Sequence, residues 1–231
     1  MGALLKFKNR QKKLFSLIVE NYNKDASLRC ELVDGRGQIY LYDVISDNFG
    51  IGPKDFTRAL SELDGAPVDL YINSPGGDVF DGRAIANILK RYSGEIVAHT
   101  DGICASAATT VACGADRRVM GEGTRFMIHN AWTLAIGNQF ELQDVISLLE
   151  NLDTDIAGDY AQLTGFSEEK IMDFMKAETF FSAEECLENG LCDEITKSAS
   201  EDPEKEDATD ASINQNLQRL QRFAAMLEKV G

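Results

Sequence analysis

Apolar positions recur along this chain in two periods, and the switches between them predict its elements. Gln38 to Val44 (Gln-Ile-Tyr-Leu-Tyr-Asp-Val) is rich in β-formers and predicts a strand. Gly50, Gly52 and Pro53 then mark a loop, with Pro53 suited to the first turn of a helix running to about Leu63. Pro67 to Asn73 predicts a second strand, broken sharply by Ser74-Pro75-Gly76-Gly77. Asp78 is a helix cap, and Ile85, Ile88 and Leu89 share one face of a helix reaching about Tyr92. Glu95 to Thr100 predicts a third strand and Ala105 to Cys113 a short helix of small residues. Two short strands follow, Arg117 to Met120 and Phe126 to His129.

The second half is more helical. Leu142, Val145, Ile146, Leu149, Leu152, Ile156, Tyr160 and Leu163 keep the helical period and predict one long helix over about 141–163. Ser167 caps a short helix with Glu168 and Glu169 in its first turn. Ser182 with Glu185 is a capping box, and Gly190 closes that helix. Strands alternating with helices imply an α/β layer fold, helices packed outside a sheet.

The ends differ from this pattern. At about 150 residues per domain, 231 residues hold one domain and extensions. Residues 1–30 read as a basic and polar lead-in (Lys6, Lys8, Arg10, Lys12, Lys13), and 31–196 as the domain. The apolar run Leu14 to Val19 is too short for a signal peptide, and Lys6 stands where a myristoylation signal wants Ser or Thr. Residues 197–231 form an acidic linker and then a segment with Ile213, Leu217, Leu220, Ala224 and Leu227 at heptad-like spacing, a helix too short to be a coiled coil alone. No window holds 18 apolar residues in a row, so no membrane span is expected. A net charge of −15 argues against a general nucleic-acid binder, which needs cations to displace phosphate counterions. Five cysteines without a CxxC pair make neither a disulfide framework nor a zinc site, and a reducing cytoplasm is the expected compartment.

Three features carry chemistry. Ser106 lies in Gly102-Ile103-Cys104-Ala105-Ser106-Ala107-Ala108, after a strand and at the start of a helix, where unpaired N–H groups help stabilise developing negative charge. Read without a partner, it is equally a spacer in a tightly packed segment. A serine nucleophile needs a base, and the chain offers His99 and His129. His99 alternates with Val97 on its strand and fits an inward-pointing residue, whereas His129 ends a strand, where catalytic groups gather. Gly76-Gly77 lets the backbone approach a ligand closely, or simply makes a strand-to-helix turn. It is no phosphate-binding P-loop, since no Gly-Lys-Ser/Thr follows. A carboxylate must orient the histidine, and Asp155, Asp159, Asp173, Glu178 and Asp193 all qualify by position.

Tyr71-Ile72-Asn73-Ser74-Pro75-Gly76-Gly77, Gly102 to Ala107, and Met127-Ile128-His129-Asn130 together resemble the Clp-type serine peptidases, ClpP. The run Phe180 to Cys186 and Asn189 to Asp193 resembles the end of that domain, so the likeness spans about 36–196. The Ser74 to Val79 stretch, His129-Asn130 and Glu178-Thr179-Phe180 are most similar to phage-type ClpP-like head maturation proteases.

The resemblance implies a ClpP/crotonase-like α/β fold of layered sheets with surrounding helices. It implies a serine endopeptidase with Ser106 as nucleophile, His129 as general base and an acid at Glu178, where ClpP has Asp; Asp173 is the fallback. Backbone N–H groups of Gly76 or Gly77 and of Ala107 would form the oxyanion hole, Ala107 standing where ClpP usually has Met. No metal, nucleotide or other cofactor is expected for the bond cleavage. The expected partners are a peptide or protein substrate, further copies of the chain in a ring, a phage scaffold or capsid protein, and a separate ATPase, in the host cytoplasm if the chain is phage-encoded. The other readings are an inactive ClpP-fold assembly module, which Glu178 in place of Asp keeps open, and a crotonase-type acyl-CoA enzyme.

Overall fold

The structure, a computed structural model, describes residues 28–197. The strands are β1 (Arg29–Val33), β2 (Arg36–Leu41), β3 (Val68–Ser74), β4 (Ile96–Ala105), β5 (Arg117–Gly121), β6 (Arg125–Ile128), β7 (Thr179–Ser182) and β8 (Glu194–Thr196). The helices are α1 (Pro53–Leu63), α2 (Val79–Arg91), α3 (Ala107–Ala112), α4 (Gln139–Thr164), α5 (Glu168–Lys176) and α6 (Ala183–Glu188). The lead-in through residue 27 and the acidic linker and heptad-spaced segment of 198–231 lie outside the described residues.

One mixed sheet runs β1-β2-β3-β4-β5-β8, with β6 joined to β4 and β7 joined to β6. β1 and β2 are an antiparallel hairpin turning at Asp34 and Gly35, both at positive φ, as a two-residue hairpin turn requires. β2, β3, β4 and β5 are parallel. β4 changes partner along its length: Val97 to Thr100 pairs with β5, and Ile103 to Ala105 with β6. That switch carries the C-terminal ends of β3, β4 and β6 to one place, the crevice where open α/β sheets bind ligands.

Alternation decides the faces of the sheet. Ile39, Leu41, Leu70, Ile72, Ile96 and Ala98 point into a core closed by Phe56 and Leu60 of α1, Ile85 and Leu89 of α2, and Val111 of α3. Tyr40, Tyr71 and His99 form a stacked row on the opposite face, with ring centroids 5.0 Å apart at each step. His99 therefore faces away from the core, a correction to the inward reading. Its partner on Tyr71's strand is Asp69, 3.2 Å away. The pairing of Tyr71 with His99 in register puts both on the same face, whatever the hydropathy around them.

The caps legible in the sequence hold the helices. Asp78 accepts the Phe80 and Asp81 N–H groups, Ser167 that of Lys170, and Ser182 that of Glu185. The long helix α4 departs from expectation in its first half. Its buried residues, Asp153, Ile156, Ala157 and Tyr160, all lie in the second half, while Phe140, Leu142, Ile146 and Leu148 are exposed. No helix among the described residues is long and apolar enough to cross a membrane.

Candidate active site

Ser106 occupies the sharp turn between β4 and α3, with φ 55° and ψ −128°. A non-glycine residue there is strained by about 1–3 kcal/mol and persists only where its surroundings over-determine it. Here they do. The Ser106 N–H is donated to Met127 O at 2.9 Å, its carbonyl accepts the Thr109 N–H at 2.9 Å, and the Thr109 hydroxyl donates to the same carbonyl. The side chain is left pointing out of the turn, and its Oγ lies 2.8 Å from Nε2 of His129. That is the separation at which an imidazole can take a hydroxyl proton.

The histidine arrives by register. β4 and β6 run parallel with Ala105 beside Met127, so the residues leaving the two strands emerge side by side. β6 and β7 are antiparallel, and their last pair is Ile128 with Thr179. One step further the same register sets His129 across from Glu178, which sits at the left-handed φ of 52°. Burial pushes the His129 pKa below its ordinary value, while the charges of Glu178 and then Asp153 push it up; burial wins.

The other carboxylates named from sequence stand elsewhere. Asp155 and Asp173 are exposed. Asp159 pairs with Arg83 and Asp193 with Arg118. Asp153, absent from the sequence candidates, is buried on α4; it accepts the Ala131 N–H at 2.7 Å and a hydrogen bond from the Asn130 side chain. It thereby ties down the two residues after His129. The signal was present: Asp153 lies four residues after Leu149 and three before Ile156, an acid inside an apolar stripe.

The Ser74-Pro75-Gly76-Gly77 turn packs directly on the serine. A Cβ on Gly76 would come within 2.5 Å of Ala105 O and 2.7 Å of Ser106 Cβ, so only glycine allows this approach. On Gly77 it would meet Ile45 O at 2.1 Å. Buried Ser74 pins the turn: its hydroxyl donates to Asp43 O at 2.7 Å and accepts the Gly76 N–H at 3.1 Å. Ile45 clamps the other side, giving its N–H to Gly76 O and taking that of Asp78. A groove of about 550 Å³ opens onto Ser106 and His129 between this turn and the segment from Ala131 to Ala135.

The cysteines take no part. All five are free thiols, and burial pushes those of Cys104, Cys113, Cys186 and Cys192 up, Cys113 to about 12.

The sequence profile of the Clp protease family matches residues 38–199, the span that carries the turn, the serine and the histidine. This chain belongs to the Clp protease family. The ATP-dependent Clp protease proteolytic subunit 2 of Prochlorococcus marinus is 32% identical over 148 residues, 61% of this chain and 72% of that protein. The subunit of the same name from Treponema denticola is 29% identical over 141 residues, 60% of this chain and 70% of that protein. The solved structure of a ClpP1 mutant from Listeria monocytogenes superposes with a TM-score of 0.63 at 24% identity, over 70% of this chain and 92% of that one. The shared fold is the ClpP fold: a mixed sheet with surrounding helices.

Proposed function

We propose that this Clp protease family member is a serine endopeptidase with Ser106 as nucleophile, His129 as general base and Glu178 as the carboxylate that orients the imidazole. The observation that carries this reading is the 2.8 Å contact of Ser106 Oγ with His129 Nε2, made at a strained strand-to-helix turn. Neutral His129 takes the hydroxyl proton as Ser106 attacks the peptide carbonyl. His129 then passes that proton to the leaving amine, and water releases the acyl group by the same steps in reverse. The oxyanion faces the N–H groups of Gly77 and Ala107. Ala107 lies in the first turn of α3, where no intrahelical acceptor exists. The Gly76 N–H is already donated to Ser74 Oγ, so Gly76 contributes its close approach and Gly77 the donor.

The partners follow at coarser grain. The relatives are named as proteolytic subunits of an ATP-dependent protease, and this chain is proposed to act with a separate ATPase and further copies of itself. Exposed apolar side chains at Ile136, Phe140 and Ile146 support the second point, since a face of that kind is the usual mark of a protein interface. The Ser74 to Val79, His129-Asn130 and Glu178 to Phe180 stretches support processing of phage scaffold or capsid proteins as the biological task. The division into lead-in (1–30), peptidase domain (31–196) and C-terminal extension (197–231) is proposed with it. Incubation with a pool of unstructured peptides, read by mass spectrometry, tests the activity. Cleavage by the wild type and none by Ser106→Ala is expected; equal cleavage by both contradicts the assignment.

A further inference from the structure

Two spaces meet at the serine, and they differ greatly in size. The groove of about 550 Å³ is open and runs along the surface. A second recess of about 20 Å³ also touches the Ser106–His129 pair, lined besides by Val79, Ala107, Thr110, Ala131, Ile156 and Tyr160. A single water needs about 10–15 Å³ by this measure, so the recess takes one or two heavy atoms.

Two of these lining residues are held in place. Tyr160 is 3% exposed and Ile156 8%, both on the buried half of α4. The Tyr160 hydroxyl is bonded to Thr109 Oγ1, and Thr109 donates to the Ser106 carbonyl. Thr109 has one hydroxyl proton, so Tyr160 is the donor in its own bond. Moving Tyr160 aside would strip a partner from a buried hydroxyl and disturb the turn that carries the serine. Enlargement by rotamer change is therefore disfavoured.

We infer that the residue on the acyl side of the cleaved bond has a small side chain (glycine, alanine or serine) and that Ile156 and Tyr160 set this limit. The inference rests on Ser106 and His129 being the catalytic pair. With the carbonyl carbon against Ser106 Oγ and its oxygen toward the Ala107 N–H, the side chain on the adjoining Cα lies beside Ala107, at the mouth of the recess. The rest of the substrate follows the groove, where larger side chains fit. Leucine brings four side-chain heavy atoms and phenylalanine seven, more than the recess holds.

The test uses the full chain and peptidyl diphenyl phosphonates that share one upstream tripeptide and end in the alanine, leucine or phenylalanine analogue. A small fluorophosphonate without a peptide serves as the reference for Ser106 reactivity. Inactivation rates are read by intact mass. The alanine compound is expected to react at least tenfold faster than the other two. In Ile156→Ala the preference over leucine should narrow at least fivefold, and in the milder Ile156→Val by a smaller factor. A leucine or phenylalanine compound that matches or beats alanine in the wild type overturns the size limit. An unchanged preference in both variants, shown folded by their melting curves, overturns the role of Ile156. Failure of the small fluorophosphonate to modify Ser106 overturns the catalytic reading and this inference with it, whereas its success beside a leucine preference overturns the inference alone.

Discussion

Asp153 accepts the Ala131 N–H at 2.7 Å from inside the core face of α4, two residues beyond His129. The same carboxylate takes a hydrogen bond from the Asn130 side chain. Asp153→Ala leaves both donors without it in a buried place, which costs about 1–3 kcal/mol for each unmade bond. A loss of about 2 kcal/mol or more is expected, a fall in Tm of several degrees for a domain of this size. Differential scanning fluorimetry checks it; an unshifted Tm contradicts the clamp.

Glu178 and Asp173 are separated by a simple comparison. The β6–β7 register brings Glu178 across from His129, whereas Asp173 is exposed on α5. Glu178→Gln removes the charge that most favours the imidazolium, and with it the proposed orienting carboxylate. The rate of Ser106 acylation is expected to fall by roughly 10²-fold or more, in line with the loss when such a carboxylate is neutralised. Asp173→Asn should stay within about twofold of wild type, the range of a surface change. The reverse order, read with a chromogenic ester, transfers the role to Asp173.

The pH profile follows from His129. Burial holds its pKa below the ordinary histidine value of 6.5. Only the neutral ring accepts the serine proton, so activity is full above the folded pKa and falls as pH drops through it. The acid limb is expected to have its midpoint below 6.5. Stability shifts in the same direction: the unfolded chain binds that proton more readily, so folding weakens as pH falls below the unfolded value. A limb centred above 6.5 contradicts the account of the site as desolvated.

Gly76→Ala strikes the turn directly against the serine. Its Cβ would press within 2.5 Å of Ala105 O and 2.7 Å of Ser106 Cβ, at a φ of 89°. Backbone atoms cannot swing away as a side chain can, so the turn must shift. Acylation is expected to drop at least 10²-fold, since about 1 Å of misplacement costs that much. Wild-type rates in a folded Gly76→Ala protein contradict the tight approach.

Ile136 is 95% exposed and Phe140 75%. If further copies of the chain cover them, Ile136→Glu and Phe140→Glu will yield smaller species than the wild type. Light scattering on a sizing column reads the mass directly. Identical assemblies in all three proteins would place the subunit contact elsewhere.

The elements were most legible where a capping residue met a clear period. Asp78, Ser167 and Ser182 each announced a helix, and α1 through Pro53 began and ended where the pattern said. β1 was hidden because Arg29, Glu31, Leu32 and Val33 of this outer strand are all exposed, so no inward alternation marks it. It begins inside the segment read as lead-in. β7 and β8 span four and three residues and lie against the Ser182–Glu185 capping box and the Gly190 stop, signals that read as helix and turn rather than strand. Ser106 and His129 stand at element ends, but the family resemblance of their motifs is what names them, and their contact depends on the β4–β6 register, which no local pattern encodes. Asp153 is marked in the sequence only by its place inside the apolar stripe of α4, a weak sign because an acid on a helix is usually solvated, and its burial comes from tertiary packing. The apolar stripe of α4 was real, yet half of it remains uncovered by the described residues.

The proposed chemistry stands or falls on Ser106 being an activated nucleophile with His129 as its base. Intact-mass analysis after treatment with a small fluorophosphonate tests it most directly, on wild type, Ser106→Ala and His129→Ala. One adduct per chain is expected in the wild type, mapped to Ser106, with none in Ser106→Ala and a rate lowered at least ~10²-fold in His129→Ala. A folded wild-type protein that takes up no adduct, or an adduct that persists in Ser106→Ala, contradicts it.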